Sequence, residues 1–368
     1  MTAPTISSEA LRDLLEQGAP VTVVDVRPAA ERAEWAIPGS VQVDAYEALW
    51  RGEATALAAF RAPNGAPVVT VCAQGKTSLL AANQLRARGL DAYSLEGGMR
   101  AWSLAWNTAD VPCPDVAARI VQVRRTGKGC LSYLIGSGGE AAVIDPSLDP
   151  RIYQELAQRH GWRVRSVIET HVHADHLSRA RALIEVTGAT LYLPTTDRVS
   201  FQYAPVQDRD VIRVGSAALR ALHTPGHTSE STCYLLDDRA LFTGDTLFLA
   251  AVGRPDLEAT PDQTCSRARL LHGSLRRLLE FPDDTLILPC HTGTPVAFDG
   301  QPVSAELREV RERTELLHAD EATFVAMILA RIPPTPPNHH RIVALNEAGT
   351  LPEDPSELEA GANRCAVA

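Results

Sequence analysis

Short apolar runs separated by polar loops give the chain its pattern. In the first hundred residues, the runs at 21–26, 67–71 and 92–95 predict buried strands, and helical spacing of apolar positions predicts helices among them. Alternation of strand, loop and helix is typical of a small parallel α/β sheet, whose carboxyl edge is where a site is expected. A first domain is therefore predicted over residues 1–110.

A second and longer set of strands begins at about residue 118. Strands are predicted at 119–123, 131–135, 141–144, 164–168, 190–193, 218–222, 232–236, 240–242 and 285–288. Residues 107–117 show no regular periodicity and hold two prolines, so we assign 111–117 as a stiff linker. The second domain is predicted over 118–350, with closing helices at 305–319 and 321–331. Residues 351–368 are expected to form a loose C-terminal tail.

The composition is that of an ordinary globular protein, and it excludes several functions. The 368 residues suit two domains, with 45% hydrophobic and 22% charged residues. A net charge of −10 without a Lys/Arg block argues against nucleic acid and anionic membrane as partners. The apolar runs are too short to span a bilayer, and no secretory signal is visible at the N-terminus. Seven scattered cysteines do not indicate a disulfide framework, so a reducing cytoplasm is expected.

Three histidines and an aspartate lie within six residues, directly after the apolar run 164–168. They are His171, His173, Asp175 and His176. On an extended chain His171 and His173 point the same way, and Asp175 and His176 would open a helix that stops at Gly188. Side chains of this kind, crowded between a strand and a helix, need a cation to hold them together. The segment therefore predicts a metal site rather than a polar loop with chance histidines.

Further residues of the ligand type follow other predicted strands. His227 comes after the run 218–222, Asp245 after 240–242, and His291 after 285–288. Because strand ends can meet at one edge of a sandwich, we expect these side chains to converge on the same metal centre.

A separate candidate is Cys72, at the carboxyl end of the second predicted strand. Its loop, CAQGKTS, runs into a helix N-terminus, whose backbone N–H groups and dipole are expected to lower the thiol pKa. Lys76 adds positive charge to the same loop. The alternatives are a buried structural cysteine and a phosphate cradle, although the strict P-loop spacing is absent. A nucleophilic cysteine is the favoured interpretation.

Residues 1–107 resemble a rhodanese domain. The resemblance rests on VDVR at 24–27, WAIPGS at 35–40, CAQGKTS at 72–78 and GGMRAW at 97–102. It implies that Cys72 carries a persulfide, cradled by the loop residues Ala73, Gln74, Gly75, Lys76, Thr77 and Ser78.

Residues 118–300 resemble the metallo-β-lactamase fold family, an αββα sandwich. The resemblance rests on HVHADH at 171–176, followed in order by TPGHT, TGDT and PCHTG. It implies seven ligand positions, which are His171, His173, Asp175, His176, His227, Asp245 and His291. These positions alone leave open whether two zinc ions or a single iron is bound.

The sequence VGRPDL at 252–257 resembles the persulfide (sulfur) dioxygenase branch, particularly members fused to rhodanese domains. That resemblance implies one Fe(II) per chain, bound by His171, His227 and Asp245. The remaining positions would surround and orient these ligands, or hold a second metal; they are His173, Asp175, His176 and His291. Arg254 would bind a carboxylate of glutathione, with an ion pair to Asp256 as the alternative.

The resemblances together imply oxidation of glutathione persulfide with O₂ to sulfite and glutathione, coupled to rhodanese sulfur transfer through Cys72. The expected small-molecule substrates are glutathione persulfide, thiosulfate and O₂. The alternative is a zinc-dependent thioester hydrolase of the glyoxalase II type with an accessory rhodanese domain. A third hypothesis is a sulfur carrier or sensor without enzymatic activity. The sequence leaves homo-oligomerisation open.

Overall fold

A computed structural model of the protein describes residues 3–368, except for the side chain of Asn64. The first part of the chain holds a short 3₁₀ turn at Pro63–Gly65 and the following elements: β1 (Thr5–Ile6), α1 (Ser8–Glu16), β2 (Thr22–Asp25), α2 (Ala29–Glu34), β3 (Val41–Gln42), α3 (Tyr46–Trp50), β4 (Val68–Val71), α4 (Lys76–Ala87), β5 (Ala92–Leu95) and α5 (Gly98–Trp102).

The five strands form one parallel sheet in the order β1-β5-β4-β2-β3. Successive valines of β2 point to opposite faces, where Val23 packs with Leu11 of α1 and Val24 packs with Ala81 of α4. Ser7 caps the start of helix α1, because its hydroxyl accepts a hydrogen bond from the Ala10 N–H at 3.1 Å. The parallel α/β sheet predicted for this part is confirmed.

The second part of the chain begins with a strand that was not predicted. Its elements, with a 3₁₀ turn at Glu315–His318, are β6 (Asn107–Val111), β7 (Arg119–Arg125), β8 (Cys130–Ser137), β9 (Glu140–Ile144), α6 (Pro150–Arg159), β10 (Arg163–Ile168), α7 (Ala180–Thr187), β11 (Thr190–Pro194), β12 (Ala204–Val206), β13 (Val211–Val214), β14 (Ala217–His223), β15 (Thr232–Leu236), β16 (Ala240–Gly244), β17 (Val252–Gly253), α8 (Pro261–Leu278), β18 (Leu286–Pro289), β19 (Ala305–Glu306), α9 (Leu307–Arg313), α10 (Glu321–Arg331), α11 (His339–Ala348), α12 (Ser356–Glu359) and β20 (Ala366–Val367).

Two sheets face each other in this second part. One has the order β12-β11-β10-β9-β8-β7-β6 and the other β13-β14-β15-β16-β18-β19. Their facing side chains form the main core, in which the rings of Tyr133 and Phe242 meet edge to face at 4.8 Å. Helices α6 and α7 cover the outer face of the first sheet, and α8 and α10 cover that of the second. The predicted αββα sandwich is confirmed.

The structure shows a strand at residues 107–111, where the sequence has no regular periodicity. Strand β6 covers Asn107–Val111 and pairs antiparallel with β7, so the segment without regular structure begins only after Val111. The sequence conceals this edge strand, because Thr108 and Asp110 lie on its more exposed side and leave no apolar run. The division into domains at the stated boundaries stays a prediction.

Only four residues separate α5 from β6, and hydrogen bonds to their carbonyl groups hold them against the second part. The guanidinium of Arg125 donates to the Ser103 carbonyl at 2.6 Å, and the Gly127 N–H donates to the Ala105 carbonyl at 3.1 Å. A Cβ atom at Gly127 would lie 1.8 Å from the carbonyl oxygen of Trp102, so only glycine fits this approach. The connection is therefore held in place on both sides.

The C-terminal tail is ordered, which contradicts the expectation of a loose segment. Strand β20 pairs antiparallel with β17, and the carboxylate of Glu359 is fully buried. That carboxylate forms ion pairs with Arg125 at 3.1 Å and Arg179 at 2.9 Å, and it accepts a hydrogen bond from the Leu177 N–H. Long-range ion pairs of this kind leave no local pattern in the sequence.

Among the described residues, no helix is long and apolar enough to cross a membrane.

We predict that Glu359→Ala lowers the free energy of unfolding by about 3–5 kcal/mol, because it leaves the buried guanidinium groups of Arg125 and Arg179 without a counter-charge. Urea denaturation followed by circular dichroism measures this change. The control is Glu357→Ala, whose side chain is 61% exposed beside Arg100 and whose loss should cost less than about 0.5 kcal/mol. Equal losses for the two variants would contradict the anchoring role of Glu359.

Candidate functional site

Segments that follow four strands bring side chains of the ligand type to one edge of the sandwich. His171 lies in the loop after β10, His227 in the loop after β14, Asp245 directly after β16, and His291 after β18. The turn before His227 requires glycine, because Gly226 has a φ of 146° and a Cβ there would lie 2.4 Å from the backbone of α8. The structure thus brings the predicted strand-end residues together.

His171, His227 and Asp245 form one compact, buried cluster. The Nε2 atoms of His171 and His227 lie 3.8 and 3.4 Å from Oδ2 of Asp245. His227 donates from Nδ1 to the Arg254 carbonyl at 2.8 Å, which leaves its Nε2 free to bind a metal. Among the described residues, His171 Nε2 and Asp245 Oδ2 have no hydrogen-bond partner. A cation between these atoms would satisfy them, so the cluster fits a metal ion.

The protonation states of this cluster favour metal binding. Burial lowers the pKa of His171 well below its ordinary value and also lowers the pKa of His227, so both imidazoles are neutral. Burial alone would raise the pKa of Asp245, but His291 and then His227 hold it below its usual range. Two neutral imidazoles and one carboxylate are a donor set for a divalent transition-metal ion.

His173 lies beside His171 but has different partners. The ring centroids are 4.2 Å apart, yet His173 Nε2 lies 3.2 Å from Asp145 and 3.0 Å from Glu169. Burial alone would lower the pKa of His173, but Asp145 and then Glu169 raise it well above its ordinary value. The Nε2 of His173 is therefore held between two carboxylates. The two side chains thus lie side by side but have different partners, and both follow the end of the extended strand at Ile168.

Asp175, His176 and His291 form a second buried cluster together with Cys130. The carboxylate of Asp175 lies 3.0 Å from His176 Nδ1 and 2.7 Å from His291 Nε2. The other nitrogen of His291 lies 2.6 Å from Asp245, so its imidazole bridges two carboxylates. The ligand atoms of the four groups lie within 4.8 Å of one another, close enough to hold a second cation.

The helix that Asp175 and His176 were expected to open begins later in the chain. Helix α7 starts at Ala180 and ends before Gly188, whose left-handed conformation confirms the predicted stop. Residues 175–179 instead form an irregular loop, which lets both side chains of the pair turn toward the second cluster.

The sequence interpretation missed several residues that contact the candidate ligands or their partners. Asp145 follows β9 directly, so the reasoning applied to Asp245 would have found it, and Glu169 follows β10 in the same way. Cys130 begins β8 and forms an isolated bridge with His291 across the two sheets. Asn363 donates from the tail to Asp175 at 2.8 Å, a contact for which the sequence carries no signal.

Cys72 lies between β4 and α4, as the sequence predicts. Its side chain is 2% exposed, and its Sγ lies 3.3 Å from the Ser78 hydroxyl. The loop after β5 closes over this cysteine, because the Met99 N–H donates to the Cys72 carbonyl and a Cβ at Gly98 would lie 2.2 Å from the same oxygen. The remaining residues of the proposed cradle, Ala73, Gln74, Gly75, Lys76 and Thr77, lead into and begin α4. The N-terminus of this twelve-residue helix can stabilise an anion on the loop.

The structure corrects the assignment of Arg254 to substrate binding. Its guanidinium is fully buried and forms a two-point ion pair with Asp256 at 2.7 and 2.8 Å. The remaining N–H groups donate to the carbonyls of Pro333, Pro334 and Arg364. Arg254 is a structural residue that holds the tail against β17, which is the alternative that the sequence had left open.

Known proteins resemble both parts of the chain. Residues 7–105 match the family model of the rhodanese-like domain, and residues 125–291 match that of the metallo-β-lactamase superfamily. A hydroxyacylglutathione hydrolase of Methylococcus capsulatus is 37% identical over 202 residues, which cover 53% of this chain and 75% of the relative.

Two solved structures have similar folds. A metallo-β-lactamase from Staphylococcus aureus is 28% identical with a TM-score of 0.58, over 64% of this chain and 74% of that chain. The ETHE1 structure from Myxococcus xanthus is 29% identical with a TM-score of 0.55, over 62% of this chain and 98% of its own. The chain therefore belongs to the metallo-β-lactamase superfamily, with a rhodanese-like domain preceding the metallo-β-lactamase domain.

Proposed function

We propose that the metallo-β-lactamase domain oxidises glutathione persulfide at one Fe(II) held by His171, His227 and Asp245. The persulfide, O₂ and water would give glutathione and sulfite, so the terminal sulfur takes up the oxygen and the S–S bond breaks. Iron held by these two imidazoles and this carboxylate would supply binding positions for O₂ and for the substrate sulfur.

This proposal rests on one observation, which is that Nε2 of His173 hydrogen-bonds to two carboxylates and not to the cluster of His171, His227 and Asp245. The dinuclear arrangement uses this histidine as a ligand, but here Asp145 and Glu169 hold its Nε2 in hydrogen bonds. That leaves His171, His227 and Asp245 as a three-ligand set. His291 would then orient the carboxylate of Asp245 and hold a proton next to it, since its Nδ1 lies 2.6 Å from that group.

The rhodanese-like domain supports the choice of substrate. We propose that Cys72 accepts sulfane sulfur from thiosulfate and passes it to glutathione, which supplies the persulfide that the second domain oxidises. The position of Cys72 before the N-terminus of α4 supports this role, because that helix end stabilises the thiolate or persulfide anion.

The alternative is a zinc-dependent thioester hydrolase. Two observations favour it: the curated relatives named hydroxyacylglutathione hydrolase, and the second cluster of Cys130, Asp175, His176 and His291. The ETHE1 neighbour fits the dioxygenase, while the hydrolases fit the alternative equally well. The two candidate functions therefore differ first in the number and kind of metal ions bound.

We predict that His173→Gln retains the metal whereas His171→Ala loses it. Glutamine keeps an N–H donor for Asp145 and Glu169, and the three-ligand set is untouched. Metal analysis of the two variants by mass spectrometry, after a circular dichroism check of their folding, measures the difference. Equal loss from both variants would make His173 a ligand and would favour the dinuclear site.

A second prediction concerns the identity of the metal. Anaerobically purified protein should contain about one iron per chain, because the donor set suits ferrous iron. His227→Ala and Asp245→Ala should each abolish both iron binding and O₂ uptake with glutathione persulfide. Two zinc ions per chain, with thioesterase activity and no O₂ uptake, would refute the dioxygenase.

A third prediction separates the two domains. Cys72→Ser should abolish sulfur transfer from thiosulfate to cyanide and leave the oxidation of supplied glutathione persulfide intact, because the metal ligands are unchanged. Cys113→Ser is the matched control, since this half-buried cysteine lies outside both sites. Persistent sulfur transfer by Cys72→Ser would assign the nucleophile to another thiol.

A further inference from the structure

A cavity of about 220 Å³ lies where the two domains meet. We call it the junction cavity; its walls include Trp35, Ala73, Met99, Gly127, Ala360 and Gly361. Ala73 follows Cys72 in the chain, and Met99 donates its N–H to the Cys72 carbonyl, so the cavity opens beside the sulfur-transfer loop. Its opposite wall comes from the second domain and its C-terminal tail.

A second cavity, of about 560 Å³, lies on the metal side of the same tail. Its lining includes Phe248, His291, Thr292, Asn363 and Ala366. It thus reaches the metal centre through His291, whose imidazole lies 2.6 Å from Asp245. We call it the metal-side cavity.

The tail segment 360–366 is the partition between these cavities. Ala360 and Gly361 face the junction cavity, whereas Asn363 and Ala366 face the metal-side cavity. Two residues of extended chain span at most about 7 Å, so Gly361 and Asn363 place the two cavities close together. The partition is fixed at both faces, because Asn363 donates to Asp175 and Arg364 forms an ion pair with Glu34 at 3.1 Å.

We propose that the junction cavity binds the acceptor thiol of the sulfur-transfer step and delivers the persulfide product beside the metal-side cavity. This inference rests on the proposed function. The thiolate of the acceptor attacks the outer sulfur of the Cys72 persulfide, a new S–S bond forms on the acceptor, and Cys72 leaves as a thiolate. The exchange needs no external oxidant or reductant.

The rim of the junction cavity indicates which class of thiol it suits. The rim carries the exposed carboxylate of Glu31, the carboxylate of Glu34, which also pairs with Arg364, and the partly exposed guanidinium of Arg100, which also pairs with Glu357. A small zwitterionic thiol with both ammonium and carboxylate groups, such as glutathione, matches a rim that carries both charges. Thiosulfate, the sulfur donor to Cys72, is a compact dianion without an ammonium group, so the carboxylates of this rim would not bind it.

The test fills the junction cavity with an indole. Ala360 is exposed on the cavity wall, so Ala360→Trp places bulk there without disturbing the core. We expect about a tenfold or larger rise in KM for glutathione as acceptor, and less than about a threefold change when cyanide accepts the sulfur. The matched control is Ala344→Trp on the exposed face of α11, which should behave as the wild type.

Two outcomes would overturn the acceptor site. Unchanged transfer to glutathione would show that the cavity is not used, and equal losses with glutathione and cyanide would place the effect on the Cys72 loop itself. Iron content and O₂ uptake with supplied glutathione persulfide are measured on the same preparations. If these are absent in the wild type, the proposed dioxygenase fails while the acceptor assay still stands.

A second experiment tests whether the persulfide passes between the two sites of one chain. It compares the wild type with a mixture of two full-length variants, each of which keeps one of the two sites. Thiosulfate plus glutathione should support O₂ uptake by the wild type at once, whereas an equimolar mixture of Cys72→Ser and His227→Ala should show a lag that shortens with protein concentration. Identical progress curves would overturn delivery in place. Thiosulfate-driven uptake by Cys72→Ser alone would refute the route through Cys72. Fragments cut near Val111 are unsuitable, because that cut removes β6 from its sheet.

Discussion

The buried guanidinium of Arg125 is the group on which the arrangement of the whole chain depends. It donates to the Ser103 carbonyl in the connection between the domains and pairs with Glu359 of the C-terminal tail. A fully buried charge is tolerated only when it is paired and hydrogen-bonded, so these partners must stay where they are. Three distant parts of the sequence are thereby fixed at one point, next to the turn that leads into Cys130.

Charge balance explains why some histidines at the candidate metal centre pair with carboxylates while others remain available as ligands. Four buried carboxylates lie at the centre, and they pair with histidines rather than with lysines or arginines; they are Asp145, Glu169, Asp175 and Asp245. His173 sits between Asp145 and Glu169, and His291 sits between Asp175 and Asp245. The two carboxylates beside each of these histidines raise its pKa. Burial instead lowers the pKa of His171 and His227. The segment HVHADH thus supplies a candidate ligand, His171, and a histidine that pairs with carboxylates, His173.

The local sequence pattern predicted the strands and the residues that directly follow them. It failed for segments whose structure depends on contacts with distant residues. The strands β4 and β16 and the positions of His227 and Asp245 follow from apolar runs and from what comes after them. Helix α8 was missed although Thr260 and Gln263 form a capping box at its start, so a signal was present. The burial of the tail could not be predicted, because Glu359 pairs with Arg125 and Arg179, which are far away in the chain.

The clamped connection at Ser103 and Ala105 has a consequence for how the two halves can cooperate. Swinging-domain enzymes carry a bound intermediate from one centre to another on a mobile arm, which needs a hinge with freedom to rotate. Here four residues join the halves, and Gly127 lies against the Trp102 carbonyl with no room for a side chain. In the proposed function, sulfur would therefore travel between the centres on a small diffusing carrier rather than on a moving domain.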